Sequence, residues 1–220
     1  VLLAQNSDSP HVGSMAIPAL LYADDAVLLS RTALGLQKLI DAFVLFMKDL
    51  DLCTNFTKSH IMVIGRKSTK SRIFRVGDHT LTKVDSFPYL GIIFDHTLSW
   101  TTLIQNKLST FKRTSAAISS FASKLGKSPV KPLLQIYEAK LVAAVTYGAE
   151  VWGYIDTSDI QIAENVFCRR LLRVSKNTPA YMVHQELGLQ YIRDRIAIKP
   201  LILWLKIWLR PECRLNQLIL

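Results

Sequence analysis

The sequence predicts an α+β fold, with strands and one packed helix first and helices alone after them. Three observations predict it. Short apolar runs separated by polar pairs dominate the stretch up to Phe94, with one amphipathic helical pattern set among them. Beyond Trp100, apolar residues recur at three- and four-residue steps almost to the end. The change of texture falls between Asp95 and Trp100, which places the boundary between a mixed part and an all-α part there.

Residues Gln5 to Pro18 are rich in Ser, Asp, Pro, His and Gly and read as a loop. Ala19-Leu20-Leu21-Tyr22 and Ala26-Val27-Leu28-Leu29 flank Asp24 and Asp25, the pattern of a tight hairpin. It lacks the Gly that two-residue turns favour, so the turn needs a special reason to exist. An amphipathic helix follows, with Leu36, Leu39, Ile40, Phe43, Phe46, Met47 and Leu50 on its apolar face and Thr32 as its N-cap. A polar segment, Thr54 to Ser59, leads to a strand at His60 to Ile64. Arg66 to Arg75 is a basic connection with five Lys/Arg, Gly77-Asp78 a turn, and Tyr89 to Phe94 a further strand.

The helical part starts with a stripe of Ile104, Leu108, Phe111, Ser115, Ile118, Ala122 and Leu125, ended by Gly126 and Pro129. A second helix is expected over Lys131 to Thr146, with Leu134, Tyr137, Leu141, Val142 and Val145 inward. A third is expected over Asp159 to Val174, and two more within Ala180 to Leu209. Trp152, Trp204 and Trp208 read as core or helix-packing residues.

Half of the 220 residues are hydrophobic, enough for a sizeable core and too many for a disordered chain. Cys53, Cys168 and Cys213 lie far apart, with neither zinc-site spacing nor the even count of a disulfide framework. A reducing intracellular compartment, nucleus or cytoplasm, is expected rather than secretion. The first residue is Val1, so the start reads as internal to a longer frame. The most apolar stretch, Ile196 to Leu209, is interrupted by Lys199, Pro200 and Lys206. It falls short of the roughly 20 residues a membrane span needs and reads as a buried or partner-facing helix.

The net charge is +10, unevenly placed. Ten basic and nine acidic residues precede Ser99; seventeen and eight follow. A basic second part suits a polyanion, although a solvated face kept for solubility has the same composition. No acidic residue lies between Asp95 and Glu138, where Lys107, Lys112, Arg113, Lys124, Lys127 and Lys131 stand. Lys107, Lys112 and Arg113 are expected off the apolar stripe. Arg169, Arg170, Arg173 and Lys176 form a second basic cluster.

Asp24 and Asp25 are the residues most open to metal chemistry. Nucleotidyl transfer uses two divalent cations about 4 Å apart, bridged by carboxylates. A hairpin tip would let Asp24 face the metals while Asp25 lies at the turn. Turn aspartates bonding local backbone are the ordinary alternative.

Four motifs in order resemble the reverse transcriptases of LINE-type, non-LTR retrotransposons. Tyr22-Ala23-Asp24-Asp25 is similar to that family's palm motif. Asn55-Phe56-Thr57-Lys58-Ser59 resembles the next palm motif, Asn-x-x-Lys-Thr/Ser. Phe87-Pro88-Tyr89-Leu90-Gly91-Ile92 resembles the strand that grips the primer. Tyr147-Gly148-Ala149-Glu150-Val151-Trp152 resembles a segment that follows the thumb. The resemblance runs from about Leu20 to Leu209.

It implies part of a palm over residues 1–97, a thumb-like region over 98–152 and a post-thumb helical region over 153–220. It implies that Asp24 ligates a metal and that Asp25 either ligates it weakly or supports the site's charge. Tyr22 would pack beneath primer and template. Lys58 would sit near the phosphates of the incoming nucleotide, or else be a solvated loop lysine. Tyr89, Leu90 and Gly91 would position the primer, and Lys107, Lys112, Arg113 and Lys124 would face the duplex backbone. The implied cofactor is Mg2+, and the implied partners are an RNA template, a DNA primer and a dNTP, in the full-length parent.

The chain departs from the family at points that matter for activity, lacking a match to the fingers and to the segment that selects the incoming nucleotide. The family has an upstream palm strand carrying the first metal-binding aspartate, and Asp8, in Asn6-Ser7-Asp8-Ser9-Pro10, is on no apolar strand. The expectation is therefore a fragment of an RNA-directed DNA polymerase, inactive alone. A non-catalytic nucleic-acid-binding module, a decayed relic, and an interaction protein using Ile196 to Leu209 are the alternatives.

Overall fold

The computed structural model describes residues 8–65, 73–77, 79–124 and 130–209. The chain forms two compact units, one of Val1–Phe87 with Ile207–Leu220, the other of Pro88–Lys206.

The first unit opens with β1 (His11–Val12) and β2 (Met15–Ala16), then β3 (Ala19–Tyr22) and β4 (Asp25–Leu28). β3 and β4 pair antiparallel from Ala19↔Leu28 to Tyr22↔Asp25, so the predicted hairpin forms around a two-residue turn. Helix α1 (Ala33–Asp49) starts at the predicted cap, where the Gly35 amide donates to Oγ1 of Thr32 at 3.0 Å. The Thr32 hydroxyl donates in turn to Asp8 Oδ2 at 2.6 Å, tying the opening loop to the helix start. Gly35 is small of necessity, since a Cβ there would stand 2.6 Å from Ser30 Oγ and 2.7 Å from Asp8 Oδ2. Asp8 thus has a structural task.

Beyond α1 come a 3-10 turn (Phe56–Lys58) and the short strands β5 (His60–Ile61), β6 (Arg75–Val76), β7 (His79–Thr80) and β8 (Thr82–Lys83). β5 pairs parallel with β8, and β6 antiparallel with β7. The strand expected over His60 to Ile64 therefore shortens to two residues. Most of the basic connection and Asp78 lie outside the described residues. Gln37 holds β6 to α1: its amide accepts from the Arg75 N–H and donates to the Arg75 carbonyl, as a neighbouring strand would. The core here is small: Ile40, Ile61, Phe74, Val76 and Leu81, flanked by Leu28, Leu36 and Phe56. Only the first half of the α1 stripe is sealed by it; Phe46 and Leu50 are exposed.

The division between the units falls within β9 (Ser86–Tyr89), which pairs with β10 (Ile92–Asp95). Helices follow: α2 (Thr101–Lys124), α3 (Val130–Ile136), a π-helical turn (Tyr137–Val142), α4 (Ala143–Thr146), α5 (Ala149–Trp152), α6 (Ser158–Leu172), α7 (Ala180–Leu187) and α8 (Ile192–Trp208). Leu125, Gly126 and Pro129, the expected end of the first of these helices, lie outside the described residues. Phe111, Leu133, Tyr137, Leu141, Val145, Trp152, Phe167 and Ile196 belong to one large core. Tyr137 stacks on Phe167 at 5.4 Å, and Phe111 meets Phe167 edge-on at 6.5 Å. Trp152 is in that core as expected, whereas Trp204 and Trp208 are more than half exposed.

Glu164 is wholly buried in this core. Its carboxylate accepts from the Tyr137 hydroxyl, from Gln161 Nε2 at 2.8 Å and from the Ile192 amide at 2.9 Å. Three donors satisfy a charge that would otherwise be costly to bury. They also tie the π turn, α6 and the start of α8 to one atom group.

Among the described residues no helix is long and apolar enough to cross a membrane.

Candidate nucleic-acid and metal site

The aspartate hairpin stands out from the first unit. Tyr22 is 63% exposed, and Asp24 and Asp25 are exposed with it. The turn residues are Ala23 and Asp24, while Asp25 is the first residue of β4, opposite Tyr22. The placement differs from the expected one, since Asp24 occupies the turn and Asp25 the strand end. Directly opposed strand residues project to one face, so Tyr22 and Asp25 lie on the same side of the hairpin. Ala23 takes φ = 50°, a left-handed conformation costing an L-residue about 1–2 kcal/mol. The turn that lacked its Gly is thus formed at an energetic cost.

Two adjacent carboxylates at an exposed tip match the oxygen ligands that Mg2+ takes alongside waters and phosphates. Among the described residues, no group of three or more His, Cys, Asp or Glu side chains is placed to hold a metal ion. The pair fits part of a metal site.

Lys58 ends the 3-10 turn and is exposed. Asn55 shapes that turn: its Oδ1 accepts from the Lys58 amide at 3.2 Å and from Thr57 Oγ1 at 2.8 Å, and its carbonyl accepts from Ser59 Oγ at 2.9 Å. The Asn-x-x-Lys-Ser spacing is therefore a capped turn that presents the lysine. Phe56 stacks on His79 at 5.0 Å and anchors it.

In the second unit, Tyr89, Leu90 and Gly91 do not form the continuous strand expected over 89–94. Leu90 (φ 48°) and Gly91 (φ 76°) are the two turn residues of the β9–β10 hairpin. Positive φ at both matches a type I′ hairpin, whose twist suits paired strands. Leu90 bears the cost that an Asn or Gly would avoid.

Lys107 departs from expectation as well. It is 8% exposed, and its ammonium donates to the carbonyls of Ala144 at 2.9 Å and Tyr147 at 3.2 Å. These carbonyls lie at the C-terminal end of α4, where unpaired acceptors and the helix dipole favour a cation. The rings of Tyr147 and Trp152 lie 5.6 and 5.8 Å from the same nitrogen. Burial and the neighbouring Lys199 hold its pKa below the usual lysine value. Lys107 is one turn from both Leu103 and Phe111, two buried residues, and that four-residue spacing was the signal of its burial. Lys112, Arg113 and Lys124 are exposed on α2. Arg169 of the second cluster is engaged, its Nε donating to the Thr178 carbonyl at 2.8 Å.

The Tyr147–Trp152 segment, given no chemical role by sequence, surrounds the Lys107 ammonium. The Tyr147 hydroxyl donates to the Leu90 carbonyl at 3.0 Å, and Trp152 Nε1 donates to the Tyr147 carbonyl at 3.2 Å. Glu150 pairs with Lys199 at 3.0 Å.

The chain is similar to the RNA-directed DNA polymerase from mobile element jockey of Drosophila melanogaster, 22% identical over 185 residues. The match covers 80% of this chain, which spans only 20% of the relative's length. No family model matches the sequence, and no solved structure matches it. The similarity supports a distant relationship to an RNA-directed DNA polymerase of a mobile element.

Proposed function

We propose that this chain is the C-terminal palm-plus-thumb part of a reverse transcriptase of the non-LTR retrotransposon type, built to hold primer and template. The observation that carries the reading is the exposed β3–β4 hairpin with Asp24 and Asp25 at its tip, in a chain that is similar to a mobile-element polymerase along most of its length.

In that reading Asp24 and Asp25 are two of the carboxylates holding Mg2+, which would polarise the attacking 3′-oxygen and the leaving pyrophosphate. A further carboxylate would come from an upstream palm strand of the full-length parent. Tyr22, on the face of Asp25, packs beneath the primer-template. Lys58, presented by the Asn55-capped turn, neutralises phosphate charge on the incoming dNTP. The turn of Tyr89, Leu90 and Gly91 positions the primer strand. Lys112, Arg113 and Lys124 meet the phosphate backbone of the RNA–DNA duplex, contacts that fix register and carry no sequence information. Lys107 supports this surface from inside and does not touch the duplex.

Titration of the 220-residue chain with a labelled RNA–DNA duplex at several salt concentrations tests the reading. Affinity should fall steeply as salt rises, because neutralised phosphates release counterions. A flat response would sink the duplex-binding assignment. The same protein should not extend a primer by itself, and processive cDNA synthesis would overturn the view that its metal site is partial. A non-catalytic binding module remains the second reading, favoured by the run without acidic residues from His96 to Tyr137; it shares the salt response and would lose nothing when Asp24 and Asp25 are replaced.

A further inference from the structure

The Tyr147–Trp152 segment and the β9–β10 turn are built around each other. A Cβ on Gly91 would stand 3.0 Å from Cε1 of Tyr147, and a Cβ on Gly148 would stand 2.7 Å from Cδ1 of Ile92. Each glycine makes room for a residue adjacent to the other. The Tyr147 hydroxyl closes the contact on the Leu90 carbonyl, an acceptor at the tip of the turn. On the opposite side, the Tyr147 carbonyl is held twice, by the Lys107 ammonium and by Trp152 Nε1. Ile92 and Ile93 also pack against the helical core.

We propose that Tyr147 is a positioning residue, a latch that fixes the Leu90–Gly91 turn to the helices, and that Lys107 sets the latch by anchoring the Tyr147 carbonyl to α2. The turn and the exposed cations of α2 then act as one rigid surface toward nucleic acid. Lys107 reaches from α2 to the end of α4, and Tyr147 reaches from the end of α4 to the hairpin, so the three elements are joined through one residue's hydroxyl and carbonyl. Two residues of this turn take positive φ, and one hydrogen bond and two close approaches restrain it. The effect on nucleic-acid binding rests on the proposed duplex role of the turn, while the latch itself does not.

Tyr147→Phe keeps the ring against Gly91 and removes only the hydroxyl. Amide hydrogen exchange on the whole 220-residue chain should show faster exchange across Pro88–Phe94 in Y147F, with the global melting temperature little changed. Duplex affinity should fall roughly three- to tenfold, about the worth of one hydrogen bond. A merely structural role would move melting and affinity together. Lys107→Met, which keeps much of the stem, should loosen the same segment although it lies on a different helix. Unchanged exchange over Pro88–Phe94 in both variants would overturn the latch. Faster exchange with unaltered duplex affinity would uphold the latch and count against the turn as a nucleic-acid contact.

Discussion

Gly148 and Ile92 approach so closely that a methyl group on the glycine would stand 2.7 Å from Ile92 Cδ1. Gly148 also takes φ = 71°, in the left-handed region, between α4 and α5. Two independent penalties therefore meet at one atom. Gly148→Ala should cost about 2–4 kcal/mol, roughly 1–2 from the left-handed backbone and the rest from overpacking. Urea unfolding of the variant measures it. A loss no larger than the roughly 1–2 kcal/mol of the left-handed backbone would mean that the hairpin can slide away from Gly148, and the reciprocal packing would be wrong.

Glu164 sits at the centre of the second unit, with Tyr137, Gln161 and the Ile192 amide all donating to it. Glu164→Gln replaces an acceptor with an amide that turns a donor toward donors. Glu164→Leu leaves the Tyr137 hydroxyl and the Ile192 amide without their acceptor. Either change should destabilise by about 3 kcal/mol, in the range seen when one member of a buried charged network is removed. Thermal unfolding reads the loss directly. A stable leucine variant would show that the core tolerates the missing acceptor and that the network has no structural weight.

Cys168 gives the second unit an alkaline signature. Burial, and secondarily the charge of Glu164, pushes its thiol from the ordinary 9.0 to about 12. The unfolded thiol ionises above pH 9 while the folded one keeps its proton. The unfolded state then binds fewer protons, so stability is full below about pH 9 and is lost as pH rises toward 12. The slope is about 1.4 kcal/mol per pH unit for one proton. Tyr137 is also raised, by burial first and then by Glu164, and adds to the loss above its ordinary 10.0. Cys168→Ala should remove most of the slope between pH 9 and 10 when ΔG is measured by urea at each pH. A wild-type slope that persists in the variant would assign the effect to another group.

Local chemistry was legible, and tertiary chemistry was not. Thr32 is legible as a cap because capping needs only a neighbouring amide, and Gly35 supplies it. The β3–β4 hairpin was readable from two apolar runs around a polar pair. The helices of the second unit follow a 3.6-residue period that a sequence displays directly. Leu90 and Gly91 read as strand because apolar residues on both sides of a two-residue turn look like one strand. Lys107 reads as a surface residue because a lysine is normally solvated, whereas its partners, the carbonyls of Ala144 and Tyr147, are 37 and 40 residues away in sequence. The order of Asp24 and Asp25 around the turn depends on register, and a one-residue change of register inverts every side chain.

Lys112 and Lys107 stand five residues apart on α2 and should behave in opposite ways. Lys112 is exposed, so replacing it by Ala should leave stability within about 0.5 kcal/mol. Its loss should weaken duplex binding at low salt and lessen the salt slope by about 0.7–0.9, the share of one phosphate contact. Arg113→Ala and Lys124→Ala should each do the same if their side chains reach the backbone. Lys107→Ala should instead lower stability, because it opens a gap where a buried side chain stood and removes the ammonium that donates to the Ala144 and Tyr147 carbonyls. Its salt slope should stay that of the wild type, since a buried ammonium already bonded to two carbonyls displaces no counterion from the duplex. Anisotropy titrations at four salt concentrations, paired with unfolding curves, separate the two behaviours. A reduced slope in the Lys107 variant would show that its ammonium swings out to the nucleic acid, and the fixed position assigned to it here would fall.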